Sequence, residues 1–543
     1  MICAFRFGIL LASSLLAAAN THASAPLDAQ VSVSTGTLSG IRSADGLKQF
    51  FHIPYAKAPL GELRWRPPQP VEPWAGVRDA SKAGPACMQV PAQEGEFFGE
   101  SLDQGMDEDC LHLNIWSRAE TPNEKLPVMV WIHGGALVTG EGAAYPGIEL
   151  TKKGVVLVTI NYRLGLFGYL AHKELSAEHP GGVSGNQGVR DQIQALGWVR
   201  DNISAFGGDP DNVTIFGESA GSWSVSLLQA SPMAKGLFHK AIGQSGGLFR
   251  PLWLRDKAQT FAPAAETVGA QVAVSIAGKN GDASIAALRK IPAEQIIAAV
   301  QADPSLNNFE AMPIVDGEVI PQELEQIFAN GEQADVPVLI GSNADESTAF
   351  MPYFEPLYGK GEEGFQNYLA VQLPEVEGQV AAAYPANAYA DVNERWSAVD
   401  TDLLFTYPMR AWARHMQTVK SPAYLYFFTW HPPIAQRESY KAFHAAEIGY
   451  VLGDLTLWDA QPVAADFRFS NVMMNIWSTF ARTGNPNVAD LPHWPAFTAE
   501  GEDYMELGST LSAGNRLRMP QMRLVEQAWA ARRAAAQIVE VRD

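Results

Sequence analysis

Apolar residues run without interruption at 126–132, 155–160, 213–216 and 336–341, and again, with many aromatics, at 423–430. Runs this short, bounded by Gly, Asn and Asp, have strand length and no polar face, so they predict strands covered on both sides. Between them the period changes. Val189, Ile193, Leu196, Val199 and Ile203 fall on one face of a helix predicted over 188–203, and 465–483 predicts a long helix stopped at Gly484-Asn485-Pro486. Buried strands alternating with helices predict an α/β fold: a mostly parallel central sheet with helices on both faces. Residues 255–335 and 350–420 read as large helical insertions. Ahead of them, 31–34, 37–41 and 50–55 predict short antiparallel strands about a turn at Gly36, and 110–116 alternates as a strand does. The tail at 522–541 is amphipathic and Arg-rich, and predicts a solvated surface helix. No repeat or hinge-like linker divides the chain, so residues 24–543 are read as one domain.

Composition narrows the class. The chain has 543 residues and a net charge of −20, with 47% hydrophobic and 18% charged residues, which is globular and argues against nucleic acid or an anionic membrane as partner. Arg6 precedes an apolar stretch at 7–19, too short to span a bilayer, and small residues follow, so 1–23 (or up to Ala25) reads as a removed signal. A secreted or periplasmic protein with no stable membrane insertion is therefore expected. Of three cysteines Cys3 lies in the signal, and the remaining pair, Cys87 and Cys110, suggests one disulfide in an oxidising compartment.

The chemistry sits where strands end, which is where open α/β sheets bind ligands. The run at 213–216 leads into G-E-S-A-G at 217–221, a strand turning sharply into a helix with Ser219 at the tip. Gly217 and Gly221 give the turn room. A serine hydroxyl is a weak nucleophile until a base takes its proton, a task that suits histidine, oriented in turn by a carboxylate. Asp345 and Glu346 follow the run at 336–341, and His431 and His444 follow the run at 423–430. His431, followed by two prolines, reads as loop punctuation. After the run at 126–132 come His133, Gly134, Gly135 and Ala136; the N–H groups of Gly135, Ala136 and Ala220 can converge on one developing oxyanion. His133 reads as a residue that braces this loop.

Taken together these stretches resemble the type-B carboxylesterases, the cholinesterase-like branch of the α/β-hydrolases, with a bacterial style of signal. The resemblance rests on E-D-C-L-H-L-N at 108–114, W-I-H-G-G at 131–135, N-Y-R-L-G-L-F-G at 161–168, G-N-Q-G-V-R-D-Q at 185–192, F-G-G-D-P at 206–210, F-G-E-S-A-G at 216–221, G-S-N-A-D-E at 341–346, F-H-A-A-E-I at 443–448 and F-A-R-T-G-N-P at 480–486. It implies a triad of Ser219, Glu346 and His444, a disulfide between Cys87 and Cys110, ion pairs Arg64–Glu108 and Arg163–Asp191, and a supporting hydrogen bond from Ser245 to the acid. An ordinary turn serine is the competing reading of Ser245. The chain departs from the family where Ala136 and Leu137 stand in the Gly-rich loop, which is expected to reshape the pocket. Trp223 is bulky for its place, and reads as a wall of the acyl side or as core packing.

The triad parts and the resemblance together imply ester hydrolysis through an acyl-enzyme, acting on a small-molecule ester. A non-catalytic cholinesterase-like binding module is the competing class, disfavoured because every triad part is present. Acyl transfer or amide cleavage by the same groups stays open. No cofactor is implied, and no ligand cluster has metal-site spacing. The ester itself and the oligomeric state are not legible.

Overall fold

Neighbouring residues of these runs go to opposite sides of one sheet, which is why the runs are almost wholly apolar, with Thr159 and Thr214 as buried exceptions. Val128, Val130 and Ile132 join one core cluster, with Val156, Val158, Ile160, Val213 and Ile215. Met129 and Trp131 join another, with Leu157, Phe216, Ile242 and Leu339. The computed structural model describes residues 29–92, 96–98, 102–303, 305–308 and 312–535, so the segment read as a signal lies outside the described residues.

The main path of the sheet has twelve strands: β1 (Ala29–Val33), β2 (Gly36–Arg42), β3 (Lys48–Pro54), β4 (His112–Ser117), β5 (Leu126–Ile132), β6 (Val156–Ile160), β7 (Gly208–Glu218), β8 (Lys240–Gln244), β9 (Val338–Asn343), β10 (Ala423–Phe428), β11 (Asp503–Leu507) and β12 (Ser512–Asn515). Their order is β1-β2-β3-β4-β6-β5-β7-β8-β9-β10-β11-β12. β1 to β4 and their link to β6 are antiparallel, β6 through β11 are parallel, and β12 closes the far edge antiparallel. The fold is an α/β-hydrolase.

Helix α1 (Gln187–Asn202) buries Val189, Leu196 and Val199 against the first cluster, as the periodicity predicts. Helix α2 (Ala220–Ala230) follows β7 directly, and α3 (Ala464–Thr483) covers the opposite face with Met473, Ile476, Trp477 and Phe480. The tail departs from expectation. Helix α4 (Met519–Ala535) buries Met522, Val525 and Ala528 in a separate cluster with Phe365, Trp396 and Tyr407. It is a packing element of the 350–420 insertion, and the apolar stripe read as solvated is covered. The alternation at 110–116 also has another meaning: all six residues of β4 are buried. Its polar members are held by hydrogen bonds, from Asn114 Nδ2 to Thr159 Oγ1 (3.1 Å) and from the His52 N–H to Asn114 Oδ1 (3.1 Å). That satisfies groups whose burial would otherwise cost about 1–3 kcal/mol each.

Register aligns the carboxyl ends of the parallel strands. Gly217 pairs with Ile132 on one side and Gly243 on the other, Gln244 with Gly341, and Asn343 with Phe428. The residues just beyond these pairs are therefore neighbours in space.

Candidate active site

Ser219 leaves β7 in a strained conformation, φ 56° and ψ −122°, and caps α2. Backbone bonds fix the turn: Ser219 N–H donates to Gln244 O (2.8 Å) and Trp223 N–H to Ser219 O (3.0 Å). The two glycines are required. A Cβ on Gly217 would lie 2.6 Å from the Ile132 carbonyl oxygen, and one on Gly221 only 2.0 Å from the same atom.

Glu346 and His444 meet. His444 Nδ1 lies 2.7 Å from Glu346 Oε2, and the Asn343 N–H donates to the other oxygen, Oε1, at 2.7 Å. Glu346 is fully buried. Asp345 instead accepts from the Ala442 N–H (3.2 Å) and has no contact with the ring. Nε2, the nitrogen that a serine base would use, lies 3.1 Å from Glu218 Oε1. Among the described residues the Ser219 hydroxyl makes no hydrogen bond. Both side chains border Gly134: a Cβ there would meet Glu218 Oε2 at 3.1 Å and Ser219 Cβ at 3.3 Å. Glu346 and His444 are therefore joined, and the other ring nitrogen faces the carboxylate of Glu218, the residue before Ser219. Three phenyl rings line the imidazole, with centroids at 4.7 Å (Phe405), 5.1 Å (Phe350) and 6.1 Å (Phe98).

A further buried carboxylate backs this group. Glu447 accepts from Gln244 Nε2 (3.0 Å) and Asn343 Nδ2 (2.6 Å), and Gln244 is itself oriented by Trp477 Nε1 (3.0 Å). Burial disfavours a charged imidazole, yet Glu218, the hydrogen bond to Glu346 and the charges of Glu346 and Glu447 outweigh it and push His444 up to about 9. Burial also pushes Glu218 well up; the His444 charge opposes this, and Glu447 and Glu346 add to it. Burial thus favours the neutral carboxyl of Glu218, while the surrounding carboxylates favour the protonated ring of His444, at a contact of 3.1 Å. Glu218 went unread in the sequence, its only signal being its place in the motif at 216–221, and Glu447 entered only as part of the family pattern that picks out His444 over His431.

The loop after β5 is shaped by positive φ at Gly135 (86°), Ala136 (53°) and Leu137 (65°). Gly135 and Ala136 are exposed and their N–H groups, like that of Ala220, donate to no acceptor among the described residues. Leu137 is buried in the core and does not shape the pocket; of the two departures only Ala136 faces outward. His133 stacks on Tyr162 at 4.4 Å, and the Tyr162 hydroxyl donates to the His133 carbonyl (2.8 Å). Burial pushes its imidazole down to about 4, which suits a neutral brace.

Cys87 and Cys110 form a disulfide. Arg64 Nη2 lies 2.5 Å from Glu108 Oε2 and Arg163 Nη2 2.7 Å from Asp191 Oδ1, both pairs deep in the protein. Ser245 does not reach the acid. Its Oγ is buried without a hydrogen-bond partner, and the oxygens of Glu346 are taken by Asn343 and His444. Trp223 is half-buried against the core, with the Arg250 guanidinium 5.3 Å from its ring. Among the described residues no group of three His, Cys, Asp or Glu is arranged to hold a metal ion, and no helix is long and apolar enough to cross a membrane.

An α/β-hydrolase sheet with a strained serine at its elbow and a joined acid–imidazole pair beside it defines a hydrolase class. Residues 27–525 match the family model described as "Carboxylesterase family". The chain is 36% identical over 499 residues to the fumonisin B1 esterase of Sphingopyxis macrogoltabida, covering 89% of this chain and 87% of that one. It is 36% identical over 484 residues to the para-nitrobenzyl esterase of Bacillus subtilis (87% and 93% covered), and 34% over 522 residues to human cocaine esterase (91% and 89%). A solved structure of PNB esterase superposes with a TM-score of 0.77 at 33% identity, over 91% of this chain and 99% of that one. The chain belongs to the carboxylesterase family. It is a carboxylic ester hydrolase.

Proposed function

We propose that ester hydrolysis proceeds through an acyl-enzyme on Ser219, with His444 as general base and acid and Glu346 as the carboxylate that orients it. The observation that carries this reading is the 2.7 Å contact between Glu346 and His444 Nδ1, beside an elbow that holds Ser219 at φ 56°. Glu346 keeps the proton on Nδ1 and frees Nε2 to accept the serine proton once Glu218 yields that nitrogen. The Ser219 oxygen then bonds to the ester carbonyl carbon, while the N–H groups of Gly135, Ala136 and Ala220 stabilise the oxyanion. Collapse of that intermediate breaks the bond to the alcohol oxygen, which leaves with the proton from Nε2. Water, deprotonated by His444, attacks the acyl-enzyme; the acid is released and Ser219 regains its proton.

The phenyl rings of Phe98, Phe350 and Phe405 border the nitrogen that protonates the leaving oxygen, which favours apolar or aromatic alcohols on that side. We also infer export to the periplasm or beyond, from the signal pattern at 1–23 and the Cys87–Cys110 bridge, with 24–543 as one domain. A fluorophosphonate probe tests the nucleophile. Covalent mass on the peptide with Ser219, absent in Ser219→Ala, is the expected result; mass on another serine rejects the assignment.

A further inference from the structure

Among the described residues Arg250 is a cation without an anion. Its Nη2 donates only to the Met312 thioether, at 3.6 Å, a poor acceptor, and its guanidinium lies over Trp223. Among the described residues no carboxylate pairs with it. The contrast with other enclosed arginines is clear: Arg64, Arg163, Arg289 and Arg410 each hold a carboxylate, and Arg395 donates to the Tyr384 carbonyl. Burial pushes the guanidinium of Arg250 below its ordinary value, and no neighbouring charge restores it. A half-buried, unpaired charge is a net cost to the fold unless a ligand offsets it.

Its position says which ligand. Trp223 is one helical turn beyond Ser219, and its indole abuts the backbone beneath the serine: a Cβ on Gly246 would meet Ser219 O at 2.4 Å and Trp223 Cδ1 at 3.0 Å. This wall shares no ring contact with His444, whose neighbours are Phe98, Phe350 and Phe405. In the proposed mechanism the alcohol leaves on the His444 side, which leaves the side of Trp223 and Arg250 to the acyl chain. A planar guanidinium held against an indole, with its donors nearly unused, matches a carboxylate in a two-point fork. We propose that Arg250 binds a carboxylate on the acyl part of the ester, so that half-esters of di- or polycarboxylic acids are the preferred substrates. This rests on the Ser219 esterase reading.

The test compares mono-para-nitrophenyl glutarate with para-nitrophenyl valerate, acyl chains of equal length that differ in the terminal carboxylate. The native protein should favour the glutarate in kcat/KM by about tenfold or more, the effect of one charge-assisted pair. Arg250→Gln should erase that ratio, mainly through KM, and Arg250→Lys should keep part of it. Using the ratio cancels general damage to the fold. A native ratio near one, or a ratio unmoved in Arg250→Gln, overturns the proposal while brisk valerate turnover leaves the esterase intact. So does a loss confined to para-acetoxybenzoate, whose carboxylate is on the alcohol side. If the native protein turns over none of these esters, the esterase reading falls and the subsite with it.

Discussion

Glu218 Oε1 lies 3.1 Å from His444 Nε2, the ring nitrogen that the proposed mechanism assigns to the proton of Ser219. The carboxylate comes from the residue immediately before Ser219, so the elbow that presents the proposed nucleophile also presents a competitor for the proposed base. In the proposed mechanism Nε2 can accept from Ser219 only once the ring is neutral and the carboxylate turns aside. The arrangement sets how activity should depend on pH.

An isolated imidazole would give an acidic limb at about 6. The buried carboxylates move it upward, because each favours the protonated ring that cannot accept from serine, and His444 is pushed up to about 9. Turnover of a neutral ester should therefore rise as pH climbs through the region above 7 towards that value, and fall as pH drops through it. Glu218→Gln removes the largest favourable charge on the cation, so its limb should lie at lower pH. The check is kcat/KM from about pH 5.5 to about pH 10 for both proteins. A native limb at 6 that the substitution fails to shift would mean that Glu218 does not govern the base.

Asp345 and Glu346 are adjacent, and only Glu346 touches the ring. Replacing it with Gln should favour the wrong tautomer and lower kcat by about three to four orders of magnitude. Asp345→Asn should cost less than about tenfold, because that side chain accepts one loop N–H and serves no reacting atom. Steady-state kinetics on one para-nitrophenyl ester, with circular dichroism to confirm folding, distinguishes them. Equal losses would mean that the acid is misassigned.

The buried strands were legible because covering a sheet on both faces demands unbroken apolar runs. β8 was not, since Lys240 and Gln244 flank only Ala241, Ile242 and Gly243; its burial comes from β7 and β9 on either side. The tail helix shows the same limit. Its amphipathic period was readable, but the surface that covers Met522 and Val525 belongs to residues more than a hundred positions upstream. At the site, Ser219 announced itself through the turn that surrounds it. Choosing Glu346 over Asp345 and His444 over His431 needed the family resemblance, because adjacent residues on a loop differ in direction and not in spacing. The role of Glu218 follows from a side-chain rotation that no residue pattern encodes.

Arg163 and Asp191 form a bidentate pair, Nη2 to Oδ1 and Nε to Oδ2 both at 2.7 Å, and Asp191 is completely buried. The Arg163 N–H also donates to Asp191 Oδ2 at 3.1 Å, and Arg163 Nη1 donates to the Arg66 carbonyl at 2.8 Å, so the pair ties α1 to the loop after β6 and to the N-terminal segment. Burial raises the Asp191 carboxyl, and Arg163 counteracts that rise. Taking the arginine away leaves a buried carboxyl without its counter-charge. Arg163→Met should destabilise the fold by about 3–5 kcal/mol, while the double change Arg163→Met with Asp191→Leu should recover much of the loss, because an apolar pair can replace a buried ion pair nearly neutrally. Urea unfolding of the native protein, the single variants Arg163→Met and Asp191→Leu and the double variant gives these quantities. If the double variant is as unstable as the sum of the single changes, the pair's worth lies in its hydrogen bonds to the backbone rather than in the charge that Asp191 would otherwise carry alone.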